Sequence, residues 1–127
     1  MIGYGERLLD HYRHPRNEGS LPSPHIRHED VNPLCGDRVR IELRLGKGER
    51  VEAARFRSDG CILCQAASSL LTERITGMTL EAIEALPSSD FLESLQADLK
   101  PNRVQCVLLP LDVLKAGIAA FRSGIST

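Results

Sequence analysis

The stretch Arg38–Leu45 reads RVRIELRL and decides the fold class. Apolar residues alternate with charged ones along it, and this period of two predicts a half-buried β-strand. Turn residues at 46–48 follow, and residues 50–57 form a second apolar run, so the two strands are predicted to pair as an antiparallel hairpin. The apolar phase slips between Ala53 and Ala54, which predicts a β-bulge there.

Upstream of this hairpin, residues 4–14 are predicted to form a short helix that ends at Pro15. Residues 16–33 are loop-like, and a short extended piece is possible at 26–31. The charged N-terminus has no apolar core of a signal peptide, and no stretch approaches the roughly 18 apolar residues that a membrane span needs. We therefore expect a cytoplasmic protein with no membrane partner and with its cysteines as thiols.

Downstream of the hairpin, the apolar period becomes helical from Gly60 and closes at Gly77. Thr79 is predicted to cap a helix through residue 86, and Ser88 or Ser89 a helix through about residue 99. Because proline fits best in the first turn of a helix, Pro110 predicts a last helix that starts near residue 106 or 107 and runs to about 123. The fold class is therefore α+β, a small antiparallel sheet with helices packed on one face.

The composition of the chain argues against some classes of function. The chain has 127 residues and a net charge of −1, which predicts one domain over residues 1–127 and argues against nucleic-acid binding by bulk charge. Aromatic residues make up only 4% of the chain, which also argues against stacking on single-stranded nucleic acid. Arginines at 38, 40 and 44 share one strand face, either to meet an acidic partner or as a solvated face.

The four cysteines are the candidate metal-binding residues. Cys35 lies in a turn with Asp37 two residues on, Cys61 follows Asp-Gly at a strand-to-helix junction, and Cys106 is predicted at a helix start. Thiols on turns and helix starts, with a carboxylate beside one, predict a metal or iron–sulfur site. One C-x-x-C without a second pair excludes a zinc ribbon. Cys64 lies on the flank of an apolar stripe and is predicted to be structural, with an accessory thiol or ligand role left open.

Several motifs in one order resemble the IscU/NifU-type iron–sulfur cluster scaffold over residues 4–122. They are Tyr4, Asp10-His11-Tyr12, Pro15-Arg16-Asn17 and Gly19; Cys35-Gly36-Asp37; Gly60-Cys61 with Ala66-Ala67-Ser68-Ser69; and Cys106 with Asp112 and Lys115-Ala116. The resemblance implies an IscU/SufE-like fold and a scaffold that is not an enzyme.

On this resemblance, a [2Fe–2S] cluster is built from iron and from sulfur supplied by a cysteine desulfurase. The cluster is then transferred to apo iron–sulfur proteins or carrier proteins. Cys35, Cys61 and Cys106 would be the ligands with Asp37 nearby, and Zn²⁺ is a possible occupant of the resting form. The resemblance leaves open whether the chain is a monomer or a homo-oligomer.

The sequence departs from the family at three places. Gln105 occupies the position at which the IscU branch has histidine. The identity of the fourth ligand is therefore open, with Asp37 as the first choice, Cys64 as the second, and Gln105 as a possible accessory. Residues 99–103 read LKPNR and lack the chaperone-docking motif, which weighs against the dedicated Hsp70 system. Cys61 and Cys106 are 45 positions apart, which leaves no room for the SufU insertion, so the chain lies between the IscU and SufU branches.

Three other functions compete with a scaffold. The first is a persulfide-accepting sulfurtransferase or desulfurase-activating partner that holds zinc rather than a cluster. The second is a thioredoxin-like redox enzyme, which needs a strand after Cys64 where only helices are predicted. The third is a structural zinc domain, which would unfold without its metal.

Overall fold

The computed structural model describes residues 5–33 and 36–124 and confirms the α+β class. Within these residues the elements, in chain order, are α1 (Gly5–Arg13), β1 (Ile26–Val31), β2 (Arg38–Leu45), a 3₁₀ turn (Lys47–Glu49), β3 (Val51–Asp59), α2 (Ile62–Ile75), α3 (Leu80–Glu84), α4 (Ser88–Ser94) and α5 (Pro101–Arg122). The strands form one antiparallel sheet in the order β1-β2-β3. The predicted hairpin forms from β2 and β3, and the extended piece at 26–31 is β1, the third strand of the sheet.

The predicted β-bulge lies slightly earlier in the chain than the apolar pattern indicated. Arg44 pairs with Ala53 and Leu45 pairs with Val51, so Glu52 is the extra residue of β3. An extra residue shifts the alternation by one, which explains why both Val51 and Ala54 are buried.

The core lies between one face of the sheet and the helices. α2 packs on β3, α5 packs on β1 and β2, and the two helices pack on each other, while α1 lies on α2. The buried side chains between these layers include Val39, Ile41, Leu43, Phe56, Leu70, Leu71, Leu111 and Ile118. The burial of each large apolar side chain stabilises the fold by about 1.5–3 kcal/mol.

The last helix differs most from its prediction. α5 begins at Pro101, where the missing N–H of a first helical residue is harmless, and it contains Pro110 in its interior. An interior proline costs about 3 kcal/mol in an isolated helix. Here the apolar face of α5 is buried on α2 and the sheet, and that burial outweighs the local penalty.

The same helix bears on the membrane prediction. With 22 residues, α5 is long and apolar enough to cross a membrane by length and composition, contrary to the expectation that no stretch approaches this length. Half of its most apolar window is buried inside the protein. We therefore interpret α5 as a core helix.

Two other helix predictions have mixed outcomes. Thr79 caps α3 as predicted, because its Oγ1 accepts a hydrogen bond from Ala82 N–H at 3.2 Å. α4 ends at Ser94 rather than near residue 99, and its N-cap is Pro87, so Ser88 lies within the helix instead of capping it.

The opposite face of the sheet is tied to the loop that follows α1. Glu42 is buried there and accepts a hydrogen bond from Leu21 N–H at 2.8 Å, with Arg40 Nε 3.0 Å from its other oxygen. Arg44 donates to the carbonyls of Pro22 and Ser23 at 2.9 and 3.1 Å. Arg40 and Arg44 therefore hold this loop, whereas Arg38 is the exposed member of the predicted arginine face.

Candidate metal centre

The loop between β1 and β2 carries the first predicted site residues. It is closed at its base by two backbone hydrogen bonds, from Asn32 N–H to the Asp37 carbonyl at 2.8 Å and from Gly36 N–H to the Asn32 carbonyl at 2.7 Å. Gly36 adopts a φ of +74°, a conformation that glycine reaches without strain. Cys35 lies outside the described residues. Asp37, immediately before β2, is buried with 4% of its surface exposed.

The Asp37 carboxylate lies directly against Cys61. Its Oδ1 accepts a hydrogen bond from Cys61 N–H at 3.1 Å, and its Oδ2 is 3.4 Å from Cys61 Sγ. This approach depends on Gly60, since a Cβ at that position would lie 2.6 Å from Asp37 Oδ1. The sequence marked Gly60 only as a helix-start residue. Its steric role follows from the fold that brings Asp37 to it.

Cys61 is the N-cap of α2. Its Sγ accepts a hydrogen bond from Cys64 N–H at 3.4 Å, in the place where a serine or aspartate oxygen usually caps a helix. Amide groups at a helix start favour a negatively charged atom beside them. The strand-to-helix junction predicted for Cys61 is confirmed, and its side chain caps the helix.

Cys106 is the third member of the cluster. Oxygen of Asp37 and the sulfur atoms of Cys61 and Cys106 all lie within 4.8 Å of one another. Two sulfur ligands of a tetrahedral zinc ion lie about 3.8 Å apart, from Zn–S bonds of about 2.3 Å. The cluster therefore needs to contract by only about 1 Å to hold such an ion. Cys106 lies in the second turn of α5, not at a helix start as predicted, and the packing of α5 on α2 brings it to Cys61.

The two accessory candidates have different surroundings. Cys64 is buried in the core and its Sγ is 3.7 Å from the hydroxyl of Ser58, so the structural position predicted for it is what the fold provides. Among the described residues, the three-atom ligand group does not include Cys64. Gln105 is exposed on α5 beside Cys106. Neither residue joins the group formed by Asp37, Cys61 and Cys106.

A second polar cluster fastens α1 to α2. His11 is buried, its Nδ1 is 2.7 Å from Ser69 Oγ, and its Nε2 is 3.5 Å from Glu73. Burial lowers the pKa of His11 below its usual 6.5, and the nearby Arg16 lowers it further. Arg16 N–H also donates to Ser69 Oγ at 2.8 Å. The polar residues singled out at the N-terminus thus hold α1 against α2, the helix that Cys61 caps.

Comparison with known proteins agrees with this fold. Residues 3–126 match the family model described as the NifU-like N terminal domain. The iron-sulfur cluster assembly scaffold protein IscU of Escherichia coli (strain K12) is 34% identical over 128 residues, which cover 96% of each chain. The same-named protein of Haemophilus influenzae is 35% identical over 130 residues, covering 96% of this chain and 98% of the relative.

Solved structures show the same fold. A putative iron-sulfur cluster assembly scaffold protein for the SUF system from Fervidobacterium islandicum AW-1 superposes with a TM-score of 0.76 at 24% identity, covering 91% of this chain and 96% of that one. The N-terminal part of a NifU-like protein from Brucella abortus has a TM-score of 0.76 at 20% identity, covering 94% of each chain.

An α+β fold that gathers two thiols and a carboxylate from separate elements provides a ligand group that could hold a metal ion. The chain belongs to the NifU-like N-terminal domain family, that of the IscU-type iron–sulfur cluster assembly scaffolds. The predicted resemblance is confirmed. Scaffolds of this family are not enzymes, which agrees with the prediction, and the competing sulfurtransferase function is not favoured.

Proposed function

We propose that this chain assembles a [2Fe–2S] cluster on Cys35, Cys61 and Cys106, with Asp37 completing the site, and then transfers the cluster to apo iron–sulfur proteins or carriers. The observation that carries the proposal is the approach of Asp37, Cys61 and Cys106 to within 4.8 Å. Cys35 belongs to the same short loop as Asp37, whose base is closed by the backbone bonds of Asn32.

The donor set suits a cluster that must be released. Thiolates are soft ligands that bind the iron of a cluster strongly, whereas a carboxylate is a harder ligand that a soft centre holds less tightly. Asp37 has a second partner in Cys61 N–H, so its carboxylate keeps a hydrogen bond when it does not bind metal. The same sulfur and oxygen donors also suit Zn²⁺, which we propose as an occupant of the site before assembly.

We propose a cysteine desulfurase as the sulfur donor. Sulfur passes between proteins by attack of a thiolate on a persulfide, so the acceptor needs a thiol that a partner can reach. Cys61 is partly exposed and meets that need, whereas Cys106 is buried. Residues 99–103 lead into α5, which begins at Pro101, and they lack the chaperone-docking motif, so the proposal includes no dedicated Hsp70. We propose the cytoplasm as the place of action.

The test is anaerobic reconstitution with ferrous iron, cysteine, a cysteine desulfurase and an added dithiol. The readouts are the visible spectrum and the bound iron and sulfide. We expect a [2Fe–2S] spectrum from the unmodified chain and from the matched control Cys64→Ala. We expect its loss in Cys35→Ala, Cys61→Ala and Cys106→Ala.

Two outcomes would contradict the proposal. The first is a cluster that persists when Cys61 or Cys106 is replaced, since those thiols would then not be ligands. The second is persulfide on one cysteine with no cluster under any loading condition, which would make the chain a sulfur acceptor rather than a scaffold.

A further inference from the structure

Cys64 is a thiol that the proposed cluster site does not use. Cys61 and Cys64 occupy the N-cap and the first turn of α2, and Cys64 N–H donates to Cys61 Sγ at 3.4 Å. The two side chains therefore share one helical turn, and one of them belongs to the candidate metal centre. A second thiol at this place bears on how sulfur delivered to Cys61 is processed.

We propose that Cys64 is a resolving thiol that reduces persulfide sulfur on Cys61 to sulfide. The inference rests on the proposed function, because it takes a persulfide donor as given. A persulfide carries its outer sulfur at the oxidation level of elemental sulfur, whereas the bridging atoms of a cluster are sulfide. Each sulfur atom therefore needs two electrons before it can enter a cluster, and a neighbouring thiol can supply them.

The local geometry favours reaction between these two thiols. Cys61 has extended dihedral angles, φ −70° and ψ 165°, so it lies outside the helix and its sulfur turns back over the first turn. This spacing at a helix start is that of thioredoxin-like dithiols, which open and close a disulfide. A disulfide requires Cα atoms about 4.4–6.8 Å apart, a separation that residues three apart on one turn meet.

Cys61 and Cys64 differ in their exposure, and this difference suits them to different roles. Cys61 is partly exposed and can receive sulfur from a partner, whereas Cys64 is 0% exposed and is shielded from other thiols. The Ser58 hydroxyl donates toward Cys64 Sγ at 3.7 Å, which fixes the orientation of that sulfur beside the start of α2. Cys64 thus has the features of an attacking thiol whose target is the sulfur beside it.

The step balances without an outside reagent. Cys64 Sγ attacks Cys61 Sγ, a Cys61–Cys64 disulfide forms, and the bond to the outer sulfur breaks. The outer sulfur gains two electrons and leaves as hydrosulfide, which takes the Cys64 proton to give hydrogen sulfide. The two cysteines together lose those two electrons. An external dithiol then reduces the disulfide and returns Cys61 to the ligand site.

The test uses the full chain without iron. The chain is loaded anaerobically with persulfide by a cysteine desulfurase and limiting cysteine, separated from both, and incubated without reductant. We expect release of one sulfide for each persulfide, and a Cys61–Cys64 linked peptide by mass spectrometry. In Cys64→Ala and Cys64→Ser we expect this release to be lost and the extra sulfur to stay on Cys61. Gln105→Ala, at an exposed position outside the ligand group, is the control and should release sulfide as the unmodified chain does.

Sulfide release from Cys64→Ala at the rate of the unmodified chain would overturn the proposal, as would a persulfide that persists in the unmodified chain. Urea unfolding of Cys64→Ser, which keeps a polar group of similar size, checks that the fold is intact. A second arm supplies sodium sulfide and ferrous iron instead of persulfide. There Cys64→Ala should form the cluster normally, and failure of the unmodified chain in that arm counts against the scaffold function alone.

Discussion

Replacement of Gly60 by alanine tests whether the fold is built to hold Asp37 against Cys61. The new Cβ would lie 2.6 Å from Asp37 Oδ1, 2.7 Å from its Cγ and 2.9 Å from its Cβ. These separations are well inside van der Waals contact, so the carboxylate must move. It then loses its hydrogen bond from Cys61 N–H and its place beside Cys61 Sγ.

The expected loss of stability follows from that hydrogen bond. A hydrogen bond to a charged group contributes about 1.5–3 kcal/mol. Replacing glycine by alanine recovers about 0.4–1 kcal/mol of that lost stability, because alanine lowers the conformational entropy of the unfolded chain. The free energy of unfolding should therefore fall by about 1–2 kcal/mol. In a chain of 127 residues this lowers Tm by about 4–8 °C.

The expected effect on metal binding is larger than this loss of stability alone would produce. Displacement of a ligand or of its supporting partner weakens metal binding about 10- to 100-fold. Gly48→Ala is the matched control, because Gly48 has a φ of +70° with no atom within 4 Å of its added Cβ. Backbone strain there costs about 1–2 kcal/mol. Its turn lies at the far end of β2 from Asp37, about 25 Å along the strand.

The assay combines urea unfolding with titration of Co²⁺, followed by thiolate-to-metal absorption and competition with Zn²⁺. Gly60→Ala and Gly48→Ala should unfold with similar loss of stability, but only Gly60→Ala should lose metal affinity. If Gly60→Ala binds zinc as tightly as the unmodified chain, Asp37 takes no part in the site and the reasoning is refuted. Equal loss of affinity in both variants would assign the effect to global stability.

Three further predictions concern the scaffold around the site. Burial lowers the pKa of His11 below 6.5, so the free energy of unfolding should be highest above that pH, decline as the pH falls through 6.5, and level off below the folded-state pKa. Urea unfolding of His11→Gln at several pH values should lack this decline. An equal decline in both proteins would contradict the prediction. Glu42→Ala should cost about 3 kcal/mol in urea unfolding, because it leaves the Arg40 side chain without its buried carboxylate, whereas the exposed Glu29→Ala should cost under about 1 kcal/mol; equal costs would refute the assignment. Gly117→Ala should lower the free energy of unfolding by about 1–3 kcal/mol, since its Cβ would lie 2.9 Å from the Cβ of His28, and an unchanged urea midpoint would show that α5 and β1 separate at no cost.

The sheet was predictable because its signal is local. The stretch Arg38–Leu45 has the same bounds as β2, and the glycine-containing turn after it leads into β3. The bulge was misplaced because an apolar pattern shows only that the phase has slipped. The residue that is left unpaired depends on the partner strand, and the register assigns it to Glu52.

The last helix was not predictable by local rules. Pro110 taken alone favours a helix start, and that rule placed Cys106 at the start of the last helix. The structure instead has one helix from Pro101 to Arg122, stabilised by burial against α2 and the sheet. Contacts between distant parts of the chain decided the outcome, and these are absent from a single stretch of sequence.

The candidate site depends both on local sequence signals and on contacts between distant parts of the chain. Thiols beside turns identified Cys61 and Cys106 as candidates, and the neighbouring acid identified Asp37. Their approach, and the need for glycine at position 60, depend on how the loop before β2, the N-cap of α2 and the second turn of α5 pack together. An ion held by these residues would join three elements at the edge of a core that is otherwise apolar. Because the apolar residues of that core pack on one another, we expect the fold to survive removal of metal, as a scaffold that releases its cluster requires and as a structural zinc domain would not permit.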